Sequence, residues 1–232
     1  MLDIVKDRLD IGLLTDKPEV AEFWKNELKV PLESVLPIGP GHDQHRFNVD
    51  GSIVKVNVLP ELDTDTKSGY AGIIIARPDI NQSQELIDPD GNHVRLVPPG
   101  TGGIAQLGIR MVVSDLGQSI AYYRDVLGWS ADEKGIIHCG ASVLLLEERT
   151  DAPTNIVLPV RGWTYLTVQI RDCDAELAQI AAAGDFVASE ALTLRDVARF
   201  AMVRDPDGNQ LELSQRASLT GPLPGNPEQT VK

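Results

Sequence analysis

The stretch DPDGNQLELS (residues 205–214) repeats an element that first occurs 117 positions earlier as DPDGNHVRLV (residues 88–97). Asp-Pro-Asp-Gly is strong turn chemistry, because Pro fixes φ and Gly accepts a positive φ without steric cost. After each turn, apolar residues alternate with more polar ones, which predicts a β-strand with one face on a core. The copies differ in charge at their eighth position, where Arg95 stands in the first and Glu212 in the second.

A second internal repeat has an offset of 99 residues. The stretch LLTDKPEVAEFWKNEL (13–28) aligns without gaps on VVSDLGQSIAYYRDVL (112–127). In each copy the end of an apolar strand leads into Thr-Asp or Ser-Asp and then into a helix with one apolar face. Asp16, Ser114 and Asp115 supply N-cap chemistry for these helices.

The repeats divide the chain into units of the pattern βαβββ, two in each half. The stretch WTYLTVQIRDCDAELAQIAAAG (163–184) starts the last unit with a strand and a helix. In the corresponding part of the first half only about ten residues separate Arg77 from Ile87, too few for a helix and a hairpin. We therefore predict that the first half lacks one helix, and that each half forms a similar cup.

Composition narrows the class of protein. The chain has 232 residues and a formal net charge of −13. This charge disfavours a nucleic-acid or anionic-membrane partner. The N-terminus has no signal-peptide pattern, no apolar run approaches a membrane span, and Cys139 and Cys173 have no metal-type spacing. We expect a cytoplasmic protein with reduced, buried thiols and a small-molecule partner. The sequence is compatible with a monomer or a homodimer.

The sequence resembles the vicinal oxygen chelate superfamily, which holds glyoxalase I, bleomycin-resistance proteins, methylmalonyl-CoA epimerase and extradiol dioxygenases. The resemblance rests on VVSDLGQSIAYYRDVLGW (112–129), YLTVQIRDCDAELAQIAAAG (165–184) and VRDPDGNQLELSQ (203–215). It implies an α+β, glyoxalase-like fold of tandem βαβββ modules that form two open, curved-sheet cups. The corresponding domains are a degenerate N-terminal domain (1–98), a linker (99–106), a C-terminal domain (107–216) and a flexible tail (217–232).

Many members of this superfamily bind a divalent metal such as Fe, Zn or Mn through His, Gln and Glu on the cup face. Glu212 occupies the metal-carboxylate position after DPDGN, and Gln106 is a second, weaker ligand type. Gly108, Leu145 and Tyr165 stand where further ligands would be expected. One or two ligands hold a divalent ion poorly. We therefore predict no tightly bound metal and no other cofactor.

The first half carries cations at the corresponding positions. Lys55 and Arg95 would repel a metal and suit an anion, because Arg binds carboxylates bidentately. We expect these two side chains to share one concave surface with further polar groups, namely Asp10, His93 and, with a looser register, His45. An alternative leaves Arg95 in a structural ion pair with Asp10.

The second half presents a polar pocket around Glu212. By strand parity Arg110, Thr167 and Gln169 share its face, and we predict that Glu212 contacts Arg110 or Tyr165. The resemblance implies an isomerase, lyase or ring-cleaving oxygenase acting on a small oxygenated metabolite, with Glu212 transferring a proton and Arg110 or Tyr165 polarising a carbonyl. The alternative is a metal-free binding protein of the bleomycin-resistance type.

Overall fold

The computed structural model describes residues 1–224. The strands are β1 Asp10–Thr15, β2 Leu32–Gly39, β3 His42–Val49, β4 Ser52–Val58, β5 Tyr70–Ala76, β6 Gln84–Ile87, β7 His93–Val97, β8 Leu107–Val113, β9 Ser130–Ala131, β10 Ile136–Cys139, β11 Ser142–Glu148, β12 Gly162–Gln169, β13 Leu192–Leu194, β14 Ala198–Arg204 and β15 Gln210–Arg216. The helices are α1 Glu19–Glu22, α2 Leu116–Ala121, α3 Cys173–Ala183 and α4 Ala217–Thr220, and Thr101–Gly103 form a 3-10 turn. The predicted α+β fold of two curved sheets is confirmed.

The strands form four units: unit 1 (β1–β4), unit 2 (β5–β7), unit 3 (β8–β11) and unit 4 (β12–β15). One sheet has the order β13-β14-β15-β12-β1-β4-β3-β2, and the other has the order β6-β7-β5-β8-β11-β10-β9. Strand β1 pairs antiparallel with β12, and β5 pairs antiparallel with β8. Each sheet therefore combines one unit from each half of the chain.

The expectation that each half closes a cup of its own is wrong. Instead the opening strands of units 2 and 3, β5 and β8, pair antiparallel with each other. Strands β1 and β12 are then each left with one edge whose backbone N–H and C=O groups have no partner. These two edges pair with each other. We call the two resulting concave surfaces the 1–4 cup and the 2–3 cup, after the units that build them.

The missing helix of unit 2 is confirmed. Residues 77–87 contain turns and the short strand β6, with no helix in this part of the described chain. The strands after the two DPDGN turns lie in mixed surroundings, as expected. Strand β7 pairs parallel with β5 and antiparallel with β6, and β15 pairs parallel with β12 and antiparallel with β14.

The repeat with an offset of 99 residues extends to an irregular feature. Both α1 and α2 continue into a π-helical turn, Phe23–Glu27 and Tyr122–Val126. The amide of Leu28 donates to the carbonyl of Phe23 at 3.0 Å, and that of Leu127 donates to Tyr122 at 3.2 Å. Conservation of such a rare turn between the two copies indicates that they share one backbone plan.

Within each half of the chain, side-chain hydrogen bonds join the Thr-Asp or Ser-Asp segment to the DPDGN turn. We call these hydrogen bonds the clasps. The Thr15 hydroxyl donates to Asp90 at 2.8 Å, and the Ser114 amide donates to Asp207 at 2.8 Å while its hydroxyl bonds to the same carboxylate. The clasps tie unit 1 to unit 2 and unit 3 to unit 4. They explain why Thr-Asp or Ser-Asp and the third residue of DPDGN recur together.

The predicted N-caps are only partly observed. Asp115 accepts from the Gln118 amide at 2.8 Å and so caps α2. Asp16 does not cap α1, whose N-cap is Pro18. Instead Asp16 binds Arg161 at 2.6 Å, and this ion pair holds the pKa of Asp16 at about 2.

Both cysteines are free and buried, as expected. Of the segment predicted as a tail, Ala217–Thr220 form the helical turn α4, while residues 225–232 lie outside the described part of the chain. No helix within residues 1–224 is long and apolar enough to cross a lipid bilayer.

Candidate ligand-binding site

The 1–4 cup encloses a cavity of about 270 Å³. Its floor comes from the alternating residues of β3, β4, β12 and β15 that point to the concave side. Apolar side chains of β2 and of the β13–β14 hairpin form the walls: Leu36, Ile38, Leu194, Val197, Phe200 and Met202. Glu212 lies in this cavity, as the parity of β15 predicted.

The partner of Glu212 is Lys55, and not Arg110. The Lys55 ammonium lies 3.0 Å from Glu212 Oε1 and donates to the Thr167 hydroxyl at 2.7 Å. Burial lowers the pKa of Lys55, and the charge of Glu212 opposes this effect. The two groups therefore stabilise each other as an ion pair in a poorly solvated place.

Tyr165 forms a second polar group of the cavity. Within residues 1–224 its hydroxyl makes no hydrogen bond to Glu212, so the predicted contact between these two groups is not observed. Burial, and secondly the charge of Glu212, raise the pKa of Tyr165, so its phenol stays protonated at neutral pH. The hydroxyl accepts from the Asn57 side-chain amide at 3.3 Å. The Lys55 ammonium lies 5.2 Å from the centre of the Tyr165 ring, within the range of a cation–π contact.

A glycine of the neighbouring strand makes room for the Tyr165 ring. Gly12 of β1 is paired with Tyr165 of β12, and a Cβ atom at Gly12 would lie 2.4 Å from a ring carbon, Cε1. No side chain fits between them. The ring therefore lies directly over the β1 backbone, which fixes the position of its hydroxyl.

Asp10 lies beneath the cavity and not in it. Its carboxylate accepts from Lys6 Nζ at 2.6 Å, from the Ile53 amide at 2.7 Å and from Gln169 Nε2 at 3.2 Å. Gln169 lines the cavity, whereas Thr167 acts through Lys55. Asp10 thus orients a cavity residue and anchors the floor.

The expectation that Asp10 and Lys55 share one concave surface with Arg95 and His93 is wrong, because β7 belongs to the other sheet. Arg95 pairs with Glu85 at 3.2 Å, so the alternative pairing with Asp10 is also wrong. His93 is exposed on β7.

Arg110 lies with Arg95 in the 2–3 cup. Strand parity gave its face correctly within β8, but β8 does not reach the 1–4 cup. The side-chain amide of Gln106 donates to the backbone carbonyls of Val49, at 2.7 Å, and of Asp50. Gln106 therefore holds the β3–β4 hairpin, and it is not a ligand beside Glu212.

Sequence reasoning missed several residues of β3 and β15. His42, Gln44 and Arg46 alternate along β3 and all line the cavity, whereas His45, which we predicted, points to the opposite face. Arg216 follows Glu212 and Ser214 on the same face of β15. The parity of these two strands was the signal that could have found them.

The donor set does not fit a divalent metal. Glu212 is the only carboxylate among the cavity-lining residues of the described chain, and its nearest neighbour is a cation. Within residues 1–224 no group of three His, Cys, Asp or Glu side chains could hold a metal ion. A metal ion beside Glu212 would have to displace or deprotonate Lys55.

The 2–3 cup is partly filled by its own linker. Ile104 packs with Ile74 and Val97, and a Cβ atom at Gly108 would meet Ile104 Cδ1 at 2.7 Å. Gly108 stands where the resemblance implied a ligand, and its missing side chain leaves room for Ile104. A more polar cavity of about 490 Å³ remains in the 2–3 cup. The 1–4 cup is the better candidate for a ligand site because its apolar walls surround a few polar groups, Lys55, Tyr165 and Glu212.

Comparisons with known proteins agree with this architecture. Residues 103–213 match the family model of the Glyoxalase/Bleomycin resistance protein/Dioxygenase superfamily. Glyoxalase I from Zea mays superposes with a TM-score of 0.71 at 14% identity, over 93% of this chain and 92% of that chain. A candidate dioxygenase from Bacillus subtilis subsp. subtilis str. 168 gives a TM-score of 0.66 at 12% identity, over 93% of this chain and 86% of that chain. Comparison with curated proteins gave no match.

Residues 103–213 belong to this superfamily, and the chain as a whole has its fold, which confirms the resemblance in the sequence. At 12–14% identity the two structures establish a common fold and not a common activity.

Proposed function

We propose that the protein binds a small oxygenated metabolite in the 1–4 cup without a metal ion, and that it holds this ligand rather than converting it. The observation that carries the proposal is the Lys55–Glu212 ion pair at the metal-carboxylate position of the superfamily. An internal ammonium there supplies the positive charge that a metal would supply. The apolar walls then favour a ligand whose body is mainly hydrocarbon.

A second candidate is a metal-free isomerase or lyase. Its support is that Glu212 and Tyr165 both line the cavity, so a carboxylate and a protonated phenol could face one ligand. In this mechanism Glu212 would accept a proton, and Tyr165 or Lys55 would donate a hydrogen bond to a carbonyl oxygen. Arg110 has no part in it because it lies in the 2–3 cup. A ring-cleaving oxygenase receives no support from the donor set.

The test uses eight-carbon probes that differ in their oxygen group, namely 1-octanol, 2-octanone and octanoate, with and without EDTA in calorimetry. We expect stoichiometric binding of at least one probe that EDTA leaves unchanged. Leu36→Trp should weaken that binding, because Leu36 lines the cavity, while Val35→Trp on the opposite, exposed face should not. Equal affinities in both variants, or a requirement for a stoichiometric metal in elemental analysis, would overturn the proposal.

Product analysis of the same mixtures separates the two candidates. A holding protein returns the probe unchanged. Conversion of a probe would instead support the proton-transfer enzyme, provided that Glu212→Gln lowers the rate of that conversion on the order of 10²–10⁴-fold.

A further inference from the structure

Two guanidinium groups lie on the wall of the 1–4 cup in addition to Lys55. Arg46 of β3 and Arg216 at the end of β15 both line the cavity. Lys55 is paired with Glu212 and Arg46 lies near the half-exposed Glu33, whereas Arg216 has no salt bridge within residues 1–224. The cavity wall therefore carries one more cation than it has acidic partners, in a chain whose formal net charge is −13.

Arg46 is buried but incompletely paired. Its Nη1 donates to Gln44 Oε1 at 3.1 Å, and its Nε lies 3.5 Å from the half-exposed carboxylate of Glu33 without a hydrogen bond. A guanidinium carries five N–H donors, so most of those on Arg46 have no partner within the described chain. Buried donors of this kind are normally satisfied by a bound group or by water.

Arg216 has still fewer partners. Within residues 1–224 its side chain makes no hydrogen bond and no salt bridge, although it is half-buried. Burial, and secondly the charge of Arg46, lower the pKa of Arg216. Both guanidinium groups line the same cavity and neither has a full set of hydrogen-bond partners within the described chain, an arrangement that a bound anion would relieve.

The remaining walls define the rest of the ligand. Leu36, Ile38, Val197, Phe200 and Met202 present apolar surface to the same cavity. The cavity of about 270 Å³ has room for a short hydrocarbon body next to these walls.

We propose that the ligand of the 1–4 cup is an amphipathic monoanion, whose carboxylate is bound by Arg46 and Arg216 while its hydrocarbon body lies on the apolar walls. This inference rests on the proposed function and specifies the chemical class of its ligand. Arginine is suited to the role because its planar fork binds a carboxylate through two parallel hydrogen bonds.

The test compares octanoate, 1-octanol and octylammonium in calorimetry against the wild-type chain and Arg216→Gln. We expect octanoate to bind best, and Arg216→Gln to weaken octanoate about 10- to 100-fold while changing 1-octanol less than 3-fold. Arg95→Gln is the matched control: it removes the same charge from the 2–3 cup and should leave octanoate affinity unchanged. Octyl sulfate distinguishes a carboxylate site from a general anion site.

The outcomes separate this inference from the proposed function. Equal affinity for octanoate and 1-octanol, unaffected by Arg216→Gln, overturns the anion subsite and leaves the cup as a neutral-ligand site. Failure of every probe to bind overturns both. Arg216→Gln should fold at least as stably as the wild type, because it removes repulsion and breaks no bond; a clear drop in its melting temperature would show that Arg216 is structural and count against the subsite.

Discussion

The Lys55 ammonium lies 3.0 Å from the Glu212 carboxylate, although the two residues are 157 positions apart in the chain. Their contact joins β4, the last strand of unit 1, to β15, the last strand of unit 4. It places a charge pair in the 1–4 cup. Loss of either partner would leave the other as an unpaired, poorly solvated charge and would destabilise the fold.

We expect Glu212→Gln to lower the free energy of unfolding by about 3–5 kcal/mol at most, because it leaves the buried ammonium without its counter-charge. Lys55→Met should be destabilising for the same reason. The double variant should cost less than the sum of the single changes, since it removes both charges. Urea denaturation measures all three, and strict additivity would show that the pair is not coupled.

Gly12→Ala should destabilise the fold by about 1–3 kcal/mol, because the new methyl group would overlap the Tyr165 ring. In a Tyr165→Ala background the same substitution should cost much less, as the ring is gone. Both backgrounds can be compared by thermal unfolding. A similar cost of Gly12→Ala in each would point to a backbone effect.

The clasps should differ in strength. Asp90 is also bound by Lys17 and Arg161, whereas Asp207 depends on Ser114 for its side-chain hydrogen bonds within the described chain. Ser114→Ala should therefore lower the free energy of unfolding by about 1–3 kcal/mol, more than Thr15→Val does. The comparison needs only matched denaturation curves, and the opposite ranking would contradict the assignment.

Burial raises the pKa of Asp205 to about 6, from an ordinary value of 3.8. The folded chain therefore binds this proton more tightly than the unfolded chain does, so its contribution to stability is present at low pH and is lost as pH rises towards 6. The loss is roughly 3 kcal/mol, at about 1.36 kcal/mol for each pKa unit. Asp205→Asn should remove this slope between pH 4 and 6.

Denaturant titrations at several pH values give the difference in slope between the wild type and Asp205→Asn. Asp88 is the equivalent residue of unit 2, and burial also raises its pKa. Asp88→Asn should therefore change the slope in the same direction. Equal slopes in the wild type and Asp205→Asn would mean that Asp205 keeps an ordinary pKa in the folded chain.

The repeats in the sequence predicted the units, the missing helix and the position of Glu212 in a cup, because turns, periodicity and strand parity are local properties. The pairing of β1 with β12 was not predictable in the same way. Which unpaired edges meet depends on contacts between residues about 150 positions apart, and local patterns carry no information about them.

The position of Arg46 could be predicted from the sequence. Asp50-Gly51 is a strong signal for a tight hairpin, and Lys55 is expected on the cup face. In that hairpin Lys55 is paired with Arg46, so the two side chains lie on the same face, and His45 lies on the other. Counting from the turn would have selected Arg46.

The pairing of unit 1 with unit 4 also sets an order of events during synthesis. Strand β1 leaves the ribosome well before β12, which begins at Gly162. At about 5–20 residues per second, β1 waits on the order of ten seconds or more with an exposed edge. The 2–3 cup can close as soon as β8–β11 have emerged. The 1–4 cup, with both arginines and the Lys55–Glu212 pair, is completed only by β15, the last strand of the described residues.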